Sequence, residues 1–233
     1  MKHLVCAIAT SLWLACTTAA SAMQAYPSRP IKLVIPYVPG GIVDFAGRMI
    51  SRKLGEQLNT TIVSENRGGE GSIIGTDVVA SSAPDGYKLL IMDSAIGIGA
   101  TPHLASELLK QKKTIDAAHV PYGSIGKSYP DLISNKVQFA FWSIAGALPF
   151  NSSNQVCAIA TTGPKRSEVY PDQPTTVEAG VPDFEIDLWL AIFAPAGLPQ
   201  DIATRLNEAL STILKDEELR KTFAKFGIEA RGT

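Results

Sequence analysis

The residues best suited to bind a small molecule form a glycine loop that runs from Tyr37 to Asp44. Its full sequence is Tyr37-Val38-Pro39-Gly40-Gly41-Ile42-Val43-Asp44. Paired glycines let backbone N–H groups turn toward one point, and a helix N-terminus behind them adds unsatisfied donors and the positive end of a dipole. The loop could therefore hold a carboxylate. A tight turn that Asp44 caps or orients explains the same residues equally well, and no G-x-G-x-x-G or G-K-[ST] pattern indicates a nucleotide.

The remaining reactive side chains do not form a catalytic or metal-binding pattern. The histidines, which are not spaced as metal ligands, are His3, His103 and His119. Neither H-E-x-x-H nor G-x-S-x-G occurs, and Cys157 has no His or Asp at a known catalytic spacing. Asp44 and Asp93 are conceivable as an acid–base pair, although orienting the glycine loop is the favoured role for Asp44. We therefore expect no enzyme activity, no metal and no cofactor.

Alternating strands and helices are predicted to position the glycine loop. Short apolar runs predict strands at Ile31–Ile35, Thr61–Glu65 and Tyr87–Met92. Between them, one helix carries apolar residues at helical spacing from Val43 to Leu58, and a second follows a Gly-rich turn and ends near Ala83. This β-α-β-α-β unit predicts a parallel sheet, and open α/β sheets bind ligands at the carboxyl ends of their strands, where the loop lies.

The rest of the chain continues the alternation. Predicted helices cover Thr101–Lys112, Ser124–Ser134, a segment starting at Pro199, and a short last helix that Asp216 caps and Gly227 ends. Predicted strands cover His119–Pro121, Val137–Trp142 and Gln155–Thr161, and a strongly apolar run, Ile186–Phe193, ends at Pro195.

The first residues have the three-part layout of an export signal. A basic start, Met1–His3, precedes the apolar run Leu4–Ala15, and Ala20-Ser21-Ala22 forms an A-x-A cleavage pattern. We expect cleavage after Ala22 and a periplasmic mature chain; the alternatives are lipidation at Cys16 and a buried N-terminal helix. The 21 Lys and Arg and 22 Asp and Glu residues are scattered, so a nucleic-acid partner is not expected.

Several short motifs, in order along the chain, resemble the Bug proteins, the substrate-binding components of tripartite tricarboxylate transporters. The motifs are Tyr26-Pro27-Ser28-Arg29-Pro30-Ile31, Ile35-Pro36-Tyr37, Pro39-Gly40-Gly41 with Asp44, Glu65-Asn66-Arg67, Ala83-Pro84-Asp85-Gly86-Tyr87, Pro102-His103-Leu104-Ala105, His119-Val120-Pro121-Tyr122, Pro171-Asp172-Gln173-Pro174-Thr175 with Glu178-Ala179-Gly180, and Trp189 with Ala194-Pro195-Ala196-Gly197.

The resemblance implies an α/β fold of the periplasmic-binding-protein, or Venus-flytrap, type, without catalytic activity. Lobe 1 would comprise residues 23–96 and 197–233, lobe 2 would comprise residues 97–196, and a small carboxylate would bind in the cleft between them. The residues that the resemblance places at the ligand are Tyr37, Val38, Pro39, Gly40, Gly41, Ile42, Val43, Asp44, Gly97, Gly99, Ala100, Thr101, Tyr122, Gly126, Lys127, Trp142 and Ser143. A monomer is expected, with a membrane permease of a tripartite transporter or a sensor as its partner.

The chain departs from the family in ways that affect lobe 2. Only Asp93–Ala100 stands where the family has a long stretch that finishes lobe 1, crosses the hinge and opens lobe 2, and the family continues past the position of Thr233. Lys127 and Gly68 stand where proline is common. We therefore expect an incomplete lobe 2. Three hypotheses follow: a solute-binding protein, a degenerate remnant that binds nothing, or an unrecognised enzyme.

Overall fold

The computed structural model describes residues 26–93, 101–122 and 125–232 and contains a four-stranded mixed sheet. The strands are β1 (Ile31–Ile35), β2 (Ile62–Asn66), β3 (Lys88–Asp93) and β4 (Leu190–Phe193), in the spatial order β2-β1-β3-β4. The first three are parallel and β4 runs antiparallel to β3. The predicted parallel β-α-β-α-β unit is therefore confirmed. Within the apolar run Ile186–Phe193, the last four residues form β4.

Strand β1 is the centre of this sheet because it is apolar on both faces. Ile31, Val34 and Ile35 are fully buried, and only Lys32 is exposed. Lys32 stands opposite Val63 of β2 and Lys88 of β3. A strand buried on both faces needs helices above and below the sheet, and the chain supplies them.

Helices cover both faces of the sheet. On one face, α1 (Ile42–Leu58) and α6 (Gln200–Ile213) share the largest apolar core with the odd-numbered residues of β1 and β3. On the other face, Val79 of α2 (Ile73–Ala80) packs on Val34 and Leu90. Two short helices complete this part of the molecule: a 3₁₀ turn at Glu70–Ser72, and α7 (Glu217–Ala224), which buries Leu219 and Phe223 in the larger core.

Helix ends follow the capping residues of the sequence. The Asp216 side chain accepts a hydrogen bond from the Leu219 N–H at 2.8 Å, which confirms its predicted capping role at α7. Gly227 follows that helix with φ of 69°, a left-handed conformation that glycine adopts at low cost. Pro199 lies just before α6 instead of within its first turn.

The middle of the chain contains three helices and a smaller apolar core, to which α3 (Thr101–Lys113) alone of the three contributes residues. The other two helices are α4 (Ile125–Ile133) and α5 (Ile144–Ser152). Ala105, Val181 and Phe184 form the buried centre of this core. The His119 ring stacks on His103 of α3 with centroids 4.2 Å apart, so both rings have a packing role.

Three predicted strands in this middle part are not formed. His119–Pro121, Val137–Trp142 and Gln155–Thr161 have no ladder, and Thr161 makes only an isolated parallel bridge to Thr175. A strand exists only when a neighbouring backbone completes its hydrogen bonds, and β-forming residues alone do not supply that neighbour. Helix α5 was not predicted, because Gly146 and Pro149 weaken its helical pattern.

None of the helices in the described part of the chain has the length and apolar character needed to cross a membrane. The predicted leader, residues 1–22, lies outside the described residues.

Candidate functional site

The glycine loop lies at the carboxyl end of β1 and leads directly into α1. Gly40 has φ of 93°, which favours glycine, whereas Gly41 is extended with φ of −84° and ψ of 173°. Both glycines are exposed, and a Cβ placed on either would meet no atom within 4 Å. Gly41 caps α1 without any side-chain hydrogen bond. The first N–H groups of α1 therefore lie behind a loop whose surface is open to an incoming anion.

Asp44 holds this loop in place. Its Oδ2 accepts a hydrogen bond from the Gly40 N–H at 3.0 Å, so the predicted orienting role is confirmed. Its Oδ1 accepts a hydrogen bond from Asn66 Nδ2 at 2.9 Å and pairs with Arg48 at 2.9 Å. Burial raises the pKa of Asp44, but the hydrogen bonds from Arg48, Gly40 and Asn66 outweigh it, so the pKa lies below its ordinary value. The carboxylate is ionised at neutral pH, and Arg48 balances its charge.

Asn66, the last residue of β2, connects the ends of two strands. Its Nδ2 also donates to the Tyr37 backbone oxygen at 3.1 Å, and its Oδ1 accepts from Arg48 at 2.8 Å. Asn66 therefore fixes the first residue of the glycine loop and the side chain of Asp44 together. Neither Asn66 nor Arg48 was among the predicted site residues. The i, i+4 spacing of Asp44 and Arg48 is the signal in the sequence that could have indicated this pair.

Tyr37 ties the start of the loop to the end of β3. Its hydroxyl donates to Asp93 Oδ1 at 2.5 Å, and both residues are buried. Burial, followed by the hydrogen bond to Asp93, raises the pKa of Tyr37 well above its ordinary value, so the phenol remains a donor. Asp44 and Asp93 thus serve separate structural contacts, and the favoured interpretation of Asp44 as a loop-orienting residue holds over an acid–base pair.

The loop after β2 packs directly against the glycine loop. A Cβ on Gly68 would lie 3.2 Å from the Tyr37 carbonyl carbon and the Val38 nitrogen. The backbone then has positive φ at four consecutive positions, from Gly69 to Ser72. Ser72 is buried, and its hydroxyl has no hydrogen-bond partner among the described residues, although it lies close enough to Tyr37 to oppose the rise in the pKa of that phenol.

The other predicted site residues lie on or next to α3, α4 and α5. The Tyr122 hydroxyl donates to Asp131 Oδ2 at 2.7 Å, and Gly126 and Lys127 are exposed in the first turn of α4. Thr101 is the first residue of α3 and is half-buried. Gly97, Gly99 and Ala100 lie outside the described residues.

Trp142 and Ser143 lie side by side at the start of α5. The Trp142 ring packs edge-on against Tyr129 of α4 at 4.4 Å between centroids, and Tyr129 contacts Phe150 at 3.8 Å. Ser143 caps α5 by accepting a hydrogen bond from the Gly146 N–H at 3.2 Å. Its hydroxyl proton is not used in that bond and can still be donated.

Across the ranges that the structure describes, no group of three or more His, Cys, Asp and Glu side chains could hold a metal ion. Backbone N–H donors lie at the N-terminus of α1 and, separately, at the N-terminus of α5, where Ser143 adds a hydroxyl; donors of this kind suit an anion.

Comparison with known proteins gives one consistent result. A family model described as a tripartite tricarboxylate transporter family receptor matches residues 46–95 and 91–232. A protein from the tcbD–tcbE intergenic region of a Pseudomonas species is 28% identical over 278 residues, covering 93% of this chain and 83% of its own length. The protein BugT of Bordetella pertussis is 26% identical over 290 residues, covering 97% of this chain and 89% of its own length.

Solved structures show the same similarity. The periplasmic binding protein BugD matches with a TM-score of 0.77 at 26% identity, covering 88% of this chain and 89% of BugD. An R. palustris protein with adipate matches with a TM-score of 0.82 at 23% identity, covering 89% of this chain and 90% of that one. The MatC protein of Rhodopseudomonas palustris with bound malate has a TM-score of 0.77 at 23% identity, covering 88% and 91%.

The alignments also locate a missing segment. The aligned span with the Pseudomonas relative, 278 residues, exceeds the 233 residues of the whole chain. The two segments matched by the family model meet at residues 91–95, where β3 ends. The relatives therefore carry residues after β3 that have no counterpart here, in agreement with the short stretch expected from the sequence.

Proposed function

The chain belongs to the tripartite tricarboxylate transporter receptor family, and from this premise we propose that it is a periplasmic solute-binding protein that captures a small carboxylate. The observation that carries the proposal is the glycine loop. Asp44 and Asn66 hold the loop at the carboxyl end of β1, while Gly40 and Gly41 leave open space in front of the α1 N-terminus. Backbone donors fixed in this way match the charge and size of a carboxylate group.

Structural relatives with adipate and with malate support a ligand of this class. Both molecules are small dicarboxylates. In this chain the second set of predicted contacts, from Thr101 to Ser143, would supply the opposite wall of the site. Ser143 combines a free hydroxyl proton with the N-terminus of α5, and Lys127 adds an exposed positive charge on α4.

The division into lobes is part of the proposal. The larger core draws on residues between Tyr26 and Met92 and between Leu190 and Ala230, whereas the smaller core lies between Ala105 and Ile186. This distribution supports two lobes, but it moves the predicted boundary between residues 97–196 and 197–233. Strand β4 pairs with β3 and packs on the larger core, so lobe 1 resumes by Leu190 instead of at residue 197. Residues 1–22 would be an export leader, and a permease of a tripartite transporter or a sensor would receive the loaded protein.

A specific observation also favours the alternative of a degenerate remnant. The described residues between the start of α3 and the start of β4 contain no strand ladder, and the chain lacks a segment that its relatives carry after β3. Micromolar binding requires about −8 kcal/mol, whereas a helix N-terminus offers an exposed charge only about 0.3–1 kcal/mol and a partly buried one about 2 kcal/mol. Lobe 1 alone therefore cannot hold a small carboxylate tightly, and function depends on whether the second wall closes.

The third hypothesis, an unrecognised enzyme, has no support in the arrangement of Asp44 and Asp93. Only measured turnover of a carboxylate substrate would support it.

A thermal-shift screen against small mono-, di- and tricarboxylates, including adipate and malate, tests binding. We expect at least one carboxylate to raise the midpoint temperature, and calorimetry then gives its affinity. Gly41→Val places a side chain in the open space in front of α1 without requiring positive φ, so the variant should keep its far-UV circular dichroism and lose binding. Unchanged affinity in this variant would show that the ligand binds elsewhere than at the glycine loop. If no carboxylate raises the midpoint temperature, the hypothesis of a degenerate remnant is favoured.

A further inference from the structure

Strand β4 leaves one edge of the sheet open. It is the last strand in the order β2-β1-β3-β4, and among the described residues only β3 pairs with it. The free edge of a strand presents unpaired N–H and C=O groups, which form a template for another strand. The chain is also shortened just after β3, beside this edge.

Two exposed aromatic side chains lie beside this open edge: Trp189, just before β4, and Phe193, its last residue. We call them the aromatic pair. Successive side chains of a strand point to opposite faces. Leu190 and Ile192 pack on the larger core, so Trp189 and Phe193 point to the other face, where they are 50% and 41% exposed. Their rings contact each other with centroids 6.3 Å apart. The buried core under α2 on that face is built on β1 and β3.

This edge lacks the usual protection against pairing. Native edge strands commonly carry a lysine or another charge that prevents association. Here no charged residue occurs between Asp187 and Asp201. The strand therefore offers no charge to which a charged partner could bind. A strand that pairs with β4 should itself be apolar and uncharged.

The sequence of β4 is itself complementary to such a strand. In an antiparallel pairing centred on Ala191, Leu190 lies opposite Ile192 of the second strand, and Trp189 lies opposite Phe193. Aromatic residues opposite each other across an antiparallel pair stabilise it. A two-fold axis through Ala191 uses the same surface on both partners and closes the assembly at two copies.

We propose that a second copy of this chain pairs its β4 with the open edge of β4, so that one sheet runs through a symmetric dimer and two Trp189–Phe193 pairs flank the axis. A strand of four residues is only about 14 Å long, and stable interfaces begin at about 1,200 Å² of total buried area. The dimer is therefore reversible and depends on concentration. This proposal replaces the expectation of a monomer and does not depend on ligand binding.

Light scattering coupled to size-exclusion chromatography tests the proposal on protein purified from the periplasm over a wide dilution series. We expect the wild-type mass to rise toward twice that of one chain with concentration. The double variant Trp189→Lys/Phe193→Lys places lysines opposite each other and should remain at the mass of one chain. The double variant Trp189→Lys/Phe193→Glu places each lysine opposite a glutamate of the second copy and should restore the dimer. Val63→Lys is the matched control, because Val63 is an exposed residue of β2 at the opposite edge of the sheet. This variant should dimerise as wild type does.

Circular dichroism of every variant verifies the fold before the masses are compared. A wild-type protein that remains at the mass of one chain at the highest concentration overturns the proposal. So does a dimer that persists in the lysine–lysine variant, because it then uses another surface. Equal behaviour of the two double variants contradicts the register centred on Ala191. A different protein bound at β4 in place of a second copy would also overturn it.

Discussion

At the scale of single residues, Asp44 is predicted to link stability to pH. Replacing it by alanine leaves the Gly40 N–H and an Asn66 amide hydrogen without their acceptor, and the loss of one partner of a buried hydrogen bond costs about 1–3 kcal/mol. The pKa of Asp44 in the folded protein lies below its ordinary value. The stabilisation is therefore fully present above the unfolded pKa of about 4 and is lost as pH falls through the folded pKa.

Urea unfolding of wild type and Asp44→Ala at neutral pH and near pH 3 measures this effect. The difference in unfolding free energy between the two proteins should shrink in acid. An equal difference at both pH values would show that the ionised form of Asp44 is not what holds the loop.

The two glycines of the loop are predicted to respond differently to substitution. Gly40 has φ of 93°, so Gly40→Ala forces a strained backbone at a cost of about 1–3 kcal/mol. Gly41 is extended, so Gly41→Ala should leave stability nearly unchanged. Thermal unfolding of the two variants compares them directly. Equal destabilisation would contradict the assigned conformations, which the Gly-Gly pair in the sequence does not distinguish.

At the scale of elements, the N-terminus of α5 allows two roles of Ser143 to be separated. Ser143→Ala removes the cap and should lower stability by about 0.5–2 kcal/mol, whereas Ser143→Gly costs only a few tenths. Both variants remove the hydroxyl proton that could be donated to a carboxylate. We expect both to weaken ligand binding to a similar extent in calorimetry, while only the alanine variant melts earlier. Full affinity in Ser143→Gly would restrict Ser143 to a capping role.

Elements of the four-stranded sheet and the helices that cover it could be predicted because their signals are local and agree with each other. The apolar residues of β1, the helical spacing along α1 and the cap at Asp216 each specify one structure. The segments Val137–Trp142 and Gln155–Thr161 contain strand-forming residues, but strand formation depends on a distant partner that no local pattern reveals. Helix α5 was not predicted because its local signals disagree. Ser143 indicates a helix start, whereas Pro149 argues against a helix at that position.

In the candidate site, too, the local features could be predicted from the sequence and the long-range contacts could not. The glycine loop and the orienting role of Asp44 follow from neighbouring residues. The contacts of Asn66 and Asp93 with Tyr37 join residues that are 29 and 56 positions apart, and only the sheet register brings them together.

At the scale of the whole molecule, the shortened segment after β3 is predicted to limit affinity. Tight capture of a small solute requires two walls and exclusion of water, and a flytrap protein obtains both by closing its lobes. We expect the best carboxylate from the screen to bind more weakly than about 1 μM, or about −8 kcal/mol. Calorimetry measures this value. Submicromolar affinity in a cooperatively unfolding protein would show that the shortened chain still closes and would remove the remnant hypothesis.

The larger core is assembled from both ends of the described chain, and this has a consequence for the order of events during synthesis. Ile50 and Leu54 of α1 share that core with Leu206, Ile213 and Phe223, which emerge from the ribosome more than 150 residues later. A nascent chain that ends before Leu206 can pack α1 on the sheet but leaves exposed the part of its apolar stripe that α6 and α7 cover, so the larger core stays incomplete. The proposed export would use this delay, because a translocation channel accepts an unfolded chain and the last helices would reach the core only after passage.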